Sequence, residues 1–380
     1  MADSAYKVLG ANDRVTTRTL LHEAIPITGT IVSGTYSDNN IKNFSHGMFQ
    51  SVYDYPYLSS SANHIFDITV GVGAESTLYG SVDSQKDKKR NVYNQMAQVL
   101  VGYDPTGSIL RFDTDGDFSG TTTDKMDDVV FLVFSRLLVK DEIKKESFSL
   151  TLGTNVTYTS PFSDLTTVTD VSASNEYRIN SPSGEYGILY ATGSDLQFDY
   201  YGNGGTASDF YPHTASFNGN DYAKVGLIYY QAGVIVLTAS LFKDHASEGI
   251  LKETGNNVGP DFVDGTHDIV DALTGSEISS SADAFRNRIQ NVQFNNTTEL
   301  NSTIYFCRAN HNEFNYSSNP TYLSGSKIRI KNFATDDPVS YITTIGLYND
   351  RRELLAVAKV SEPLKKTPDT EFTLRVRLDY

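Results

Sequence analysis

Residues 113–124 read DTDGDFSGTTTD, the densest concentration of potential chemistry in the chain. Asp113, Asp115 and Asp117 stand at i, i+2 and i+4, and Asp124 falls where a calcium loop places its last carboxylate. Carboxylates crowded in this way repel, and a hard cation with oxygen ligands relieves the repulsion. The turn glycine, Gly116, is the fourth residue of the segment rather than the sixth, and no clear helix precedes it. Calcium is the one cofactor the sequence offers, weighed against a plain acidic turn.

Other chemistry is thinner. The seven histidines are scattered; Cys307 and His311 lie four apart without the third ligand that zinc requires. GVGAES (71–76) and GNGG (202–205) lack the lysine of a phosphate-binding loop, and no G-x-S-x-G elbow occurs. With no nucleophile, acid/base pair or cofactor loop singled out, the chain reads as non-enzymatic.

Composition narrows the partners. The 380 residues hold 31 Lys and Arg against 46 Asp and Glu, a net charge of −15, which disfavours nucleic-acid backbones. The short basic runs KDKKR (86–90), KK (144–145) and KK (365–366) read as solvated positions. A single cysteine, no apolar leader and no apolar run of about 18 residues fit synthesis in a reducing compartment, with no secretory signal and no membrane span.

The elements that must position these residues are mainly strands. Abundant Tyr, Phe, Ser, Thr and Gly predict a mainly β, α+β chain: antiparallel sheets or a sandwich, two or three helices and long polar loops. Helices are expected over 84–101, capped by Asp83 or Ser84; over 123–145; and over 281–292, capped by Ser281 with Phe285, Ile289 and Val292 on one face. VVFLVF within the second could instead be a buried strand. SFSLTLG (147–153) alternates as a half-buried strand, 224–242 reads as a hairpin turning at Gln231-Ala232-Gly233, and 25–36 as a strand pair broken by glycines. The last ten residues alternate to the end, Phe372, Leu374, Val376, Leu378 and Tyr380 against Thr373, Arg375, Arg377 and Asp379, as a strand built into a sheet. Length suggests a mixed region over 1–150, a β-rich middle over 151–245 and a C-terminal β domain over 246–380.

That last region contains YITTIGLYNDRRELLAVAKV (341–360), two strands and a turn, apolar on both faces. Ile342, Thr344, Gly346 and Tyr348 are expected on one face, and Tyr341, Thr343, Ile345 and Leu347 on the other. Such strands need cover on both sides, from a second sheet or from another chain. Ile342, Ile345, Leu347, Leu354, Leu355 and Val357 are the expected packing and interface residues.

The hairpin phrase resembles one in the tail-collar and fibre-attachment domains of tailed phages. Together with FCRANHNEFNYSSNPTYLSGSKIRIKNF and TEFTLRVRLDY it is similar to virion structural proteins of T-even-like contractile-tailed phages of the marine cyanophage type. The likeness runs in patches over residues 65–380. It implies a virion component assembled in the host cytoplasm, at or near the baseplate, holding neighbouring tail proteins or anchoring fibres as a homo-oligomer in a symmetric assembly. A neck, vertex or head-decoration protein is the alternative position. A receptor-binding adhesin, using the aromatic loops YDYPY (53–57) and NEFNYSSNPTY (312–322) to stack on sugars, is the alternative class.

Overall fold

The computed structural model describes residues 6–26, 38–76, 85–118, 125–153, 165–192, 214–217, 220–239, 277–286, 288–317, 319–325, 327–328, 333 and 335–380. The fold is mainly β, with one large antiparallel sheet of fifteen strands and four α-helices among the described residues. The strand pair expected over 25–36 falls mostly, and the glycine turn at 202–205 wholly, outside those residues.

The chain divides into two compact units, His22–Thr298 and Met1–Leu21 with Glu299–Tyr380. Pairing runs across residues 150 and 245, where the sequence suggested divisions: Asp128–Phe134 pairs with Val234–Thr238 as well as with His64–Val72, and Ile289–Ala309 pairs with Ser149–Gly153.

In the larger unit the central strands are buried on both faces. Val130, Leu132 and Phe134 enter one apolar cluster, with Ile278, Ala282 and Phe285 of helix Ile278–Arg286. Val129 and Phe131 enter the other, with Val92, Tyr93, Ala97 and Leu100 of helix Lys86–Leu100. A strand between two apolar layers needs no polar face, so its sequence is continuously apolar. The helix expected over 123–145 is therefore corrected: its described part is strand Lys125–Met126, strand Asp128–Phe134, the single-turn helix Arg136–Val139 and strand Glu142–Ile143.

Two further boundaries move. The helix expected over 281–292 ends at Arg286, and Ser281 lies inside it; Ile289 and Val292 are buried in the following strand, Ile289–Ala309. The first helix begins at Lys86 behind Gln85, which is left-handed (φ 57°) and makes no side-chain cap; Asp83 and Ser84, the expected caps, lie outside the described residues. Strand Ser149–Gly153 and the 231–233 turn form as expected, with Gly233 at φ 67°.

In the smaller unit, strand Phe372–Asp379 pairs antiparallel with residues 302–309. Its alternation holds through Asp379, with Val376 buried and Thr373, Arg375 and Arg377 exposed, but Tyr380 lies past the strand and is exposed.

Candidate functional site

The structure brings Asp113, Asp115 and Asp117 together, with one ligand oxygen from each inside a 4.8 Å span; Asp124 lies outside the described residues. The turn holds itself by backbone-to-carboxylate bonds: the Asp115 N–H donates to Asp113 Oδ1 (3.1 Å) and the Asp117 N–H to Asp115 Oδ1 (3.0 Å). Gly116 is at φ 67°, a Cβ there would lie 3.3 Å from Leu227 and from the Tyr186 ring, and the Tyr186 hydroxyl donates to the Gly116 carbonyl at 2.8 Å. Asp113 is fully buried, and Lys125 Nζ lies 2.8 Å from its Oδ2. Burial raises the Asp113 carboxyl to about 7, while the Lys125 hydrogen bond opposes that rise. The ammonium thus supplies, from within the chain, positive charge of the kind a cation would bring.

A second cluster was not legible in the sequence. Asp170 is buried and accepts from the Glu146 N–H (2.8 Å), the Phe148 N–H (3.0 Å) and the Tyr230 hydroxyl (3.1 Å). Burial lifts its carboxyl to about 6, against those three bonds. Glu146 is left-handed (φ 61°) and accepts from Ser174. Beside it Lys145 pairs with Glu185 and lies 4.5 Å from the Tyr177 ring centroid and 5.3 Å from that of Tyr230. The turn from Lys144 to Ser147 borders a cleft of about 460 Å³. A buried acid with a raised pKa suits proton transfer, yet both Asp170 oxygens are engaged by the frame, which makes it a clamp on the turn.

Ser51, His64 and Asp67 supply the residue types of a hydrolytic triad in a different order. Ser51 Oγ donates to Asp67 Oδ1 at 2.5 Å, and His64 Nε2 lies 2.8 Å from the same oxygen. The carboxylate sits between serine and histidine, so the imidazole is not placed to take the serine proton.

The hairpin is formed by Ser340–Tyr348 and Leu354–Lys366, a separate two-stranded sheet. Its turn is closed by Asn349, whose Oδ1 accepts from the N–H groups of Arg351 (3.0 Å) and Glu353 (2.8 Å). A register shift between Ile342 and Thr344 corrects the expected faces: Ile342, Ile345 and Leu347 lie together, opposite Leu364, Ala358 and Ala356, and all six are half-buried. The opposed pairs Tyr341–Lys365, Thr344–Lys359, Gly346–Val357 and Tyr348–Leu354 are exposed. Leu354, Leu355 and Val357 are 52%, 68% and 53% exposed, so no second sheet among the described residues covers this face. Below it the base is anchored, with Ser340 Oγ donating to the Phe314 carbonyl and Lys366 fully buried.

No protein-family profile, curated protein or solved structure matches this chain. No helix among the described residues is long and apolar enough to cross a membrane.

Proposed function

We propose that this chain is a non-enzymatic structural component of a contractile phage tail, at or near the baseplate, and that the 340–366 hairpin is its attachment element to neighbouring tail proteins. The carrying observation is the hairpin's construction: base buried, turn closed by hydrogen bonds, and one face of Tyr341, Tyr348, Leu354 and Val357 exposed. Grouped apolar side chains on a firm support suit a surface that another chain covers. The resemblance of the hairpin phrase to phage attachment domains supports the same reading and supplies the virion setting.

A receptor-binding role has one observation in its favour. Tyr53, Tyr57 and His64 form a ring cluster, with centroids of Tyr53 6.4 Å from Tyr57 and 5.5 Å from His64, beside the exposed Tyr55 and Leu58. Exposed rings of this kind can stack on sugars.

Gold-labelled antibody against the chain, imaged on purified particles, tests the proposal. Label at the tail tip is expected. Label at the neck or head would move the protein within the virion, and particles without label would overturn the virion assignment.

A further inference from the structure

A lysine and a carboxylate meet out of water at one register position of the sheet pair Phe112–Asp113 and Lys125–Met126. Asp113 stands directly opposite Lys125, whose Nζ lies 2.8 Å from Asp113 Oδ2. Asp113 is fully buried, and the Lys125 side chain is 7% exposed. The two strands are pinned beside this point by Tyr93 of helix Lys86–Leu100: its buried hydroxyl donates to the Met126 carbonyl (2.8 Å) and accepts from the Phe112 N–H (3.2 Å). The second carboxyl oxygen, Asp113 Oδ1, accepts from the Asp115 N–H at 3.1 Å, and Asp115 brings a carboxyl oxygen within 4.8 Å of one of Asp113. We infer that Lys125 and Asp113 join in an intramolecular amide bond, a covalent cross-link between the two strands that the chain forms on itself.

Each step has a group in place. One proton passes from the ammonium to Asp113 Oδ2 and leaves a neutral amine beside a neutral acid, the form that burial favours. The amine lone pair attacks Cγ and forms the Nζ–Cγ bond. Negative charge gathers on Oδ1, which already holds the Asp115 N–H. The Asp115 carboxylate then takes the second proton from the nitrogen and hands it to Oδ2; the Cγ–Oδ2 bond breaks and water leaves. One ammonium and one carboxylate thus give one amide and one water, with no oxidant and no co-reactant. The closed surroundings favour the product, because an amide is neutral where the ion pair keeps two charges out of water. Until it reacts, the pair is ionic and Asp113 retains its titration.

The test is the intact mass of the purified full chain, denatured after days of incubation at neutral pH and mapped by proteolysis. A mass lower by one water is expected. Trypsin should fail to cut after Lys125, and chymotryptic cleavage after Phe118 should leave the Asp113 and Lys125 fragments joined. Lys125→Arg keeps the positive charge but removes the nucleophile, so this chain should hold the mass of its sequence. Asp115→Asn keeps the backbone N–H and loses the proton carrier, and should slow bond formation about tenfold or more; circular dichroism confirms that both variants are folded. Wild-type chain that keeps its full mass, with Lys125 open to acylation once unfolded, overturns the inference whatever the variants do. Ring closure at Asp115–Gly116 would also expel one water; a loss that persists in Lys125→Arg, with normal cleavage after Lys125 in the wild type, overturns it as well. Asp115→Asn chain that reacts at the wild-type rate would overturn the proton transfer assigned to Asp115.

Discussion

The Lys366 ammonium lies 2.7 Å from Asn315 Oδ1, inside the protein and without an acidic hydrogen-bond partner. Its other two bonds go to the carbonyls of Thr367 (2.9 Å) and His311 (3.2 Å), so all three donors of a buried cation are met by neutral acceptors. The last residue of the hairpin is thereby tied to the 311–315 loop.

Lys366→Met should keep much of the packing volume and strand these acceptors. Leaving them unsatisfied is expected to cost about 2–3 kcal/mol. Hydrogen exchange should show faster exchange over 340–366 while the 128–134 ladder stays protected; unchanged protection of the hairpin would refute the anchoring role.

Leu354→Ala with Leu355→Ala separates folding from assembly. Both side chains are more than half exposed, so urea unfolding should shift by no more than about 0.5 kcal/mol. If the hairpin is the proposed attachment element, incorporation into particles should nevertheless fall. A large loss of stability would mean that the side chains are covered within the chain.

The pH dependence has a defined sign. Asp113 and Asp170 have folded-state pKa values raised to about 7 and about 6, chiefly by burial. Each contributes stability that is fully present below the ordinary carboxylate range, about 4, and is lost as pH rises through the folded value. Their joint contribution should therefore decline between about pH 4 and pH 7. Asp379 and Glu23, with pKa values lowered by hydrogen bonds, act in the opposite sense, losing their contribution on further acidification. Urea titrations across this range should show that Asp113→Asn flattens the upper part of the decline. An unchanged slope would count against the buried, raised carboxyl.

Gly226→Ala tests the sheet itself. A Cβ at this position would lie 2.0 Å from the Val236 carbonyl oxygen on the paired strand, a backbone atom that cannot swing aside. Opening the ladder to admit it should cost about 3 kcal/mol, read as a lower unfolding midpoint. A midpoint within error of wild type would show that the strands separate easily.

Where one residue reports its own environment, the sequence was a reliable guide. Phe148, Leu150 and Leu152 alternate because one layer lies beneath them, and Gly233 marks a turn because its φ is positive. It misled where an environment is assembled from distant parts. VVFLVF resembles a helix face because both sides of its strand are covered by helices remote in the chain. The basic runs looked solvated, yet each places a lysine out of the solvent: Lys89 and Lys366 are fully buried, and Lys145 is half-buried beside two rings. Of the acidic loop, composition revealed Asp113, Asp115 and Asp117, but not that Lys125 would meet Asp113. Asp170 stood out in no pattern, because its donors are mostly backbone N–H groups, which leave no trace in residue types. The hairpin's existence was legible; the register shift that sorts its residues between faces was not.

Strand Arg14–Pro26 is joined to strand Ile289–Ala309 in the sheet, and Thr16 reaches Thr303, 287 residues further along. On the ribosome, at about 5–20 residues per second, the earlier strand must wait on the order of 15–60 s for its partner. Over that interval Val15, Leu20 and Leu21 emerge on a segment whose partner strand has yet to be made. Strand Arg14–Pro26 is thus secured long after it is made, and the yield of folded protein should depend on how well holding chaperones shield it during translation.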